Sequence, residues 1–132
     1  MLLAVPACGQ ATREAGPSAG WLVLSVERPA YHGGRRDQAL EEACRGWRLD
    51  AVQVRSVFEH SERFRERPYA EFYQLGCSIG GTIQADGRIW SFRIDAGGEG
   101  VWRAGGEVRY FGCRAPQCDA LLLISHDGMT GD

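Results

Sequence analysis

Neither lysine nor asparagine occurs anywhere in the chain, so each of its 15 cationic side chains is an arginine. Without asparagine there is no N-glycosylation acceptor. Without lysine the glycine cluster Gly97, Gly98 and Gly100 cannot be completed into a P-loop, and it does not match G-x-G-x-x-G either. The two absences together are what GC-rich codon usage produces, with no structural cause required. A positive surplus is lacking as well. The 15 arginines face 17 acids, a net charge of −2, which removes the electrostatic footprint of a nucleic-acid binder. Internal repeats are absent. The 132 residues allow one domain, long enough to bury roughly two-thirds of the surface of its unfolded chain.

The opening run Met1-Leu2-Leu3-Ala4-Val5-Pro6-Ala7-Cys8 is too short to span a membrane and lacks the basic start of a complete secretory signal. Its end, Val5-Pro6-Ala7-Cys8, resembles the close of a bacterial lipoprotein signal, in which the cysteine is cut and lipidated. Residues 9–20 are rich in Gly, Ala, Ser and Pro, the composition of a flexible tether. The expected organisation is therefore a signal remnant and lipid-anchor tether over residues 1–20, with Cys8 as the lipidation site, and a single domain over 21–132. A chance cysteine in a disordered tail is the alternative.

Setting Cys8 aside leaves Cys44, Cys77, Cys113 and Cys118, an even number that pairs in an oxidising compartment. Four cysteines permit three connectivities. Cys113 and Cys118 enclose a short proline-containing loop and are the preferred pair, and Cys44 with Cys77 follows by elimination. A zinc site completed by His126 is a poor rival, because C-x4-C without a second C-x2-C departs from structural zinc spacing.

Along the domain, the apolar run Trp21 to Val26 suggests a buried strand, and residues 31–36 a loop. Asp37 is placed to cap a short helix, ended by Gly46, with Ala39, Leu40, Ala43, Cys44 and Trp47 on one face. Asp50 and Gln53 form a capping box with Leu49 and Val54 as its staple, which predicts a helix over 51–60 packed through Ala51, Val54, Val57 and Phe58. The alternating charges of residues 62–67 read as a solvated connection.

From Cys77 the pattern turns to strands. Asp86-Gly87 is a favoured type I′ pair, and counting outward sets Ala85 against Arg88, Ile83 against Trp90, Gly81 against Phe92 and Ile79 against Ile94. That register leaves Thr82, Gln84, Ser91 and Arg93 on the opposite face. Two further strands follow, joined at Gly105-Gly106, and the segment 118–124 is a short helix or edge strand. The expected fold is α+β, an antiparallel four- to five-stranded meander sheet with one or two helices packed on one face.

Catalytic constellations are weak. Asp95 and Glu99 could supply a glycosidase pair, but exposed turn acids are the plainer reading. Cys113, His126 and Asp127 contain the residue types of a thiol triad, which a disulfide would consume. His60 suits a helix end, where a cation complements the dipole, and His32 sits in a glycine-rich loop. No catalytic residue, metal ligand or cofactor is assigned. With one sheet face uncovered by helix, Trp102 and Phe111 on that face, beside Arg103 and Arg109, would make partner-binding anchors, although core packing is the commoner fate of such aromatics.

The stretches Val54-Arg55-Ser56-Val57-Phe58, Cys77-Ser78-Ile79-Gly80-Gly81, residues 86–98 and Tyr110-Phe111-Gly112-Cys113 together resemble small uncharacterised proteobacterial envelope proteins and lipoproteins. The resemblance covers residues 47 to 118. It implies an exported α+β domain and brings no assigned reaction. Some small exported lipoproteins are immunity proteins, and in size and layout this chain is similar to them, though it lacks the Ser-Gly loop motif of the lysozyme-inhibitor lipoproteins. The expectation is a non-catalytic periplasmic or outer-membrane lipoprotein that binds a secreted protein effector, touches the membrane only through its anchor and binds no nucleic acid. The alternative is a structural or accessory lipoprotein with no discrete client.

Overall fold

The computed structural model describes residues 20–34 and 37–124. Cys8, His126 and Asp127 lie outside them, as does all but the last residue of the tether. In chain order the elements are strands β1 (Leu22–Val26) and β2 (Ala30–Tyr31), helices α1 (Gln38–Gly46) and α2 (Ala51–Glu59), and strands β3 (Glu62–Phe64), β4 (Cys77–Ala85), β5 (Arg88–Asp95), β6 (Glu99–Ala104) and β7 (Glu107–Gly112). Short 3-10 turns at Tyr69–Glu71 and Pro116–Leu121 complete the set.

Asp86 and Gly87 both take positive φ, 54° and 74°, as a type I′ turn requires. The central hairpin therefore has the register read from the sequence, from Ala85 opposite Arg88 to Ile79 opposite Ile94. Strands β4 to β7 form an antiparallel meander. Three further strands widen it to a seven-stranded sheet in the order β1-β4-β5-β6-β7-β3, with β2 pairing farther along the same edge of β4. The strand count is thus larger than the four or five expected, because the charged segment taken for a solvated connection contributes β3, paired with β7 from Glu62 opposite Gly112 to Phe64 opposite Tyr110. An edge strand has one side in water, so charge on it is no obstacle to pairing. The same reasoning corrects β1. It is not a buried strand: it lies on an edge, its pairing with β4 is broken by an irregularity between Val23 and Ser25, and Leu22 and Leu24 are exposed.

The helices cover one face. Asp50 accepts from the Gln53 amide at 2.8 Å while the Gln53 side chain accepts from the Asp50 amide, the reciprocal cap that starts α2. Val54, Val57 and Phe58 then point to the sheet, whereas Ala51 is exposed. Phe58 is the hub of the core. Its ring meets Trp102 at 5.5 Å, Phe111 at 5.1 Å and Phe92 at 5.8 Å, all edge-on, the geometry in which ring quadrupoles attract. Space for these rings comes from glycine: a Cβ on Gly100 would stand 2.8 Å from Phe58, and one on Gly81 would stand 2.6 Å from Phe92 and collide with the Ser25 carbonyl.

Helix α1 is capped by Asp37, which accepts from the Leu40 amide at 2.9 Å. Of its expected apolar face, Cys44 and the following Trp47 are buried, while Ala39 and Ala43 are exposed. Cys44 bonds Cys77, tying α1 to β4, and Cys113 bonds Cys118 across the turn after β7. Among the described residues no helix is long and apolar enough to cross a membrane.

Candidate functional site

The face of the sheet away from α1 and α2 is built by strict alternation, so its content follows from the register. Three rows cross it. Thr82, Ser91, Arg103 and Val108 form one, Gly80, Arg93, Val101 and Tyr110 the next, and Ser78, Asp95, Glu99 and Gly112 the last. Two segments rise along its sides. Residues 27–32 pass over the β4 edge, where the His32 ring lies 3.4 Å from the Ser78 hydroxyl and the Glu27 amide donates to the Gly80 carbonyl at 2.8 Å. On the other side the chain leaving β3 brings Arg67 across. Between them lies a groove of about 450 Å³ lined by His32, Arg67, Arg93, Asp95, Glu99 and Tyr110 among others, continuous with a second hollow of about 330 Å³ reaching Glu27 and Arg28.

One end of the groove is acidic and internally satisfied. Glu99 is buried, 6% exposed, and both of its oxygens accept from the Arg67 guanidinium, at 3.0 and 3.1 Å. Such a planar two-bond fork is the strong form of the arginine–carboxylate pair. Asp95 is half-buried beside it. It accepts from the Gly97 amide at 2.9 Å and from the Leu75 amide, yet burial outweighs those donors and raises its pKa above the ordinary aspartate range. Phe72 closes this end by packing on Gly98 and Gly112, and its ring meets Phe64 edge-on at 6.2 Å.

The other end is cationic and open. Arg93 on β5 and Arg103 on β6 stand diagonally on adjacent strands, because Arg93 faces Val101 while Arg103 faces Ser91. Both are exposed, and among the described residues neither has an acid within salt-bridge distance. Other arginines do have acids: Arg55 pairs Glu59, Arg88 pairs Glu107, Arg109 pairs Asp86, and Arg114 spans Glu62 and Glu71.

The four residues expected to anchor a partner therefore separate. Arg103 is on the open face. Trp102 and Phe111 are not: they are 0% and 1% exposed, beneath α2. The reason is the length of the β5–β6 connection. Strand β6 begins at Glu99, so Phe92 pairs with Trp102 and Gly100 with Phe111, which sends both rings to the helix side with Phe92. Arg109 shares their side but sits at its margin, its guanidinium 4.3 Å from the Trp90 ring centre and 2.9 Å from Asp86. Arg93, Arg67, Tyr110 and His32 join the groove without having been singled out as binding residues. The polar alternation through Ser91 and Arg93 was the available signal, and extending it past Asp95 required the connection length.

The other candidates resolve by position. Asp95 and Glu99 do come together, on adjacent strands, but neither is an exposed turn acid, and Arg67 occupies the oxygens Glu99 would need as a base or nucleophile. Cys113 is consumed by its disulfide. His60 closes α2, donating from Nδ1 to the Ser56 carbonyl at 2.8 Å. Among the described residues no three His, Cys, Asp or Glu side chains are grouped to hold a metal. No family model matches the chain, and neither the curated proteins nor the solved structures contain a match.

Proposed function

We propose that the protein is a non-catalytic, lipid-anchored domain of the cell envelope, an immunity or inhibitor-type lipoprotein, and that it meets a secreted protein effector on the helix-free face of its sheet. One observation carries the reading. That face presents a hollow in which two of the guanidinium groups, Arg93 and Arg103, have no salt-bridged acid among the described residues, while the central aromatics Trp90, Phe92, Trp102 and Phe111 are committed to the core. Arginine with a concave, partly polar surround is a common anchor of protein interfaces. The two disulfides favour an oxidising compartment, and Cys8 is the position for the anchor.

The test is affinity capture from envelope extract with the oxidised full chain, beside an Arg93→Glu/Arg103→Glu variant. A single secreted protein retained at one-to-one ratio by the wild type and lost by the folded variant supports the reading. A clean eluate from a folded bait favours an accessory lipoprotein with no client, and retention by both baits moves the interface elsewhere.

A further inference from the structure

We propose that the groove is also a binding site for a small carboxylate, gripped by Arg93 and Arg103, whose hydroxyl or ammonium group reaches Asp95. The inference goes beyond the protein-binding reading and does not depend on it.

Two like charges held diagonally on neighbouring strands repel one another, and cross-strand neighbours of this kind lie within reach of a single ligand group. Along this face Ser91 and Ser78 add hydroxyls, and Arg28 lines the adjoining wall. Of the acids nearby, Glu99 is spent on Arg67 and Asp95 lies one row farther on, while the Glu27 carboxylate, which stands over Gly80 in the row of Arg93, forms no salt bridge with either guanidinium among the described residues. A carboxylate between the two guanidinium forks would relieve the repulsion and gain charge-assisted hydrogen bonds. The volume, about 450 Å³, is that of a small-molecule site.

The opposite end selects the rest of the ligand. Arg93 and Asp95 are two residues apart on one strand, so their Cα atoms are about 7 Å apart. Asp95 is fixed by two backbone amides and turned toward the same groove. Its carboxyl oxygens accept a hydroxyl or an ammonium there, and with Glu99 beside it the acidic end opposes a multiply charged phosphate. The ligand class is thus a short zwitterionic peptide or a sugar acid, each carrying a carboxylate together with a hydroxyl or ammonium donor on the same small molecule.

The experiment uses the full chain, oxidised and 15N-labelled, with the arginine Nε–Hε signals as readout. The probes are glycylglycine, its carboxyl-terminal amide, glucuronate, glucose and inorganic phosphate. Saturable shifts at Arg93 and Arg103 with glycylglycine or glucuronate, weakened at least about tenfold by removing the carboxylate, support the proposal, and the better of the two distinguishes peptide from sugar acid. Arg93→Gln should weaken that binding about tenfold and leave the rest of the spectrum in place, and Asp95→Asn should weaken the same probe. The proposal is overturned if no probe saturates by about 20 mM, if the amide or glucose binds as well as the acid, or if phosphate binds more tightly than both carboxylates.

Discussion

Arg67 reaches from the chain after β3 to a carboxylate that is almost wholly removed from water, and the asymmetry of that pair sets what its loss would do. The guanidinium is half in solvent, whereas Glu99 is 6% exposed. Replacing Arg67 by Gln strands a buried carboxylate, which costs about 1–3 kcal/mol. A lower urea midpoint with an unchanged slope is the expected result. Asp95 gives a pH signature. Its folded pKa lies above the ordinary value because burial disfavours the anion. In the window between the unfolded and folded values the native state binds more protons, so this residue's contribution to stability falls as pH rises and is flat above the window. Asp95→Asn removes that fall. The variant's stability relative to wild type should be greater at about pH 7 than at about pH 3, measured by urea unfolding, and a constant difference would mean that Asp95 ionises normally. Trp102 belongs to the core alone: Trp102→Ala should cost about 3–5 kcal/mol, whereas Arg103→Glu should leave the unfolding midpoint nearly unchanged.

At the level of elements, local chemistry explains what was legible. The capping box at Asp50 and the type I′ pair at Asp86-Gly87 act over three or four residues, so α2 and the β4–β5 register could be read without any knowledge of distant contacts. The side on which Trp102 and Phe111 fall depends on one connection, Ala96 to Gly98, and an error of one residue there inverts a face. Strand β3 was hidden for a different reason. Its pairing partner, β7, lies more than forty positions away, and its charged composition is that of any wet loop. The groove shares both problems: its Arg93 row was legible as polar alternation, but Arg67 and His32 arrive from segments with no periodic signal. Gly81 offers a test at this scale. Any Cβ there strikes the Ser25 carbonyl and the Phe92 ring, so Gly81→Ala should prise β1 from β4 at a cost of about 1–3 kcal/mol. Amide exchange should accelerate in β1 more than in β6 and β7. Uniform acceleration would mean that the edge and the meander open as one unit.

For the molecule as a whole, the two disulfides constrain very different amounts of chain. Cys44 and Cys77 are 33 positions apart and join α1 to the sheet, enclosing all of α2 and β3, whereas Cys113 and Cys118 are 5 apart and fix only the turn after β7. If cross-links act mainly by restricting the unfolded chain, the first is worth about 3.8 kcal/mol and the second about 2.2 kcal/mol. The larger figure is a substantial fraction of the stability of an ordinary domain, about 5–15 kcal/mol. Paired replacement by alanine should therefore lower stability in that order, with Cys44→Ala/Cys77→Ala the more damaging by about 1.5 kcal/mol. Exposure of the sheet adds to the contrast, because only the Cys44–Cys77 bond holds a helix against the β2 end of β4, beside the His32 wall of the groove. Loss of that bond should thus also broaden the amide signals of residues 30–33 by nuclear magnetic resonance, while loss of Cys113–Cys118 leaves them sharp. Equal destabilisation by the two variants, measured by urea unfolding under oxidising conditions, would show that native-state packing around each bridge, and not loop length, governs what the disulfides contribute.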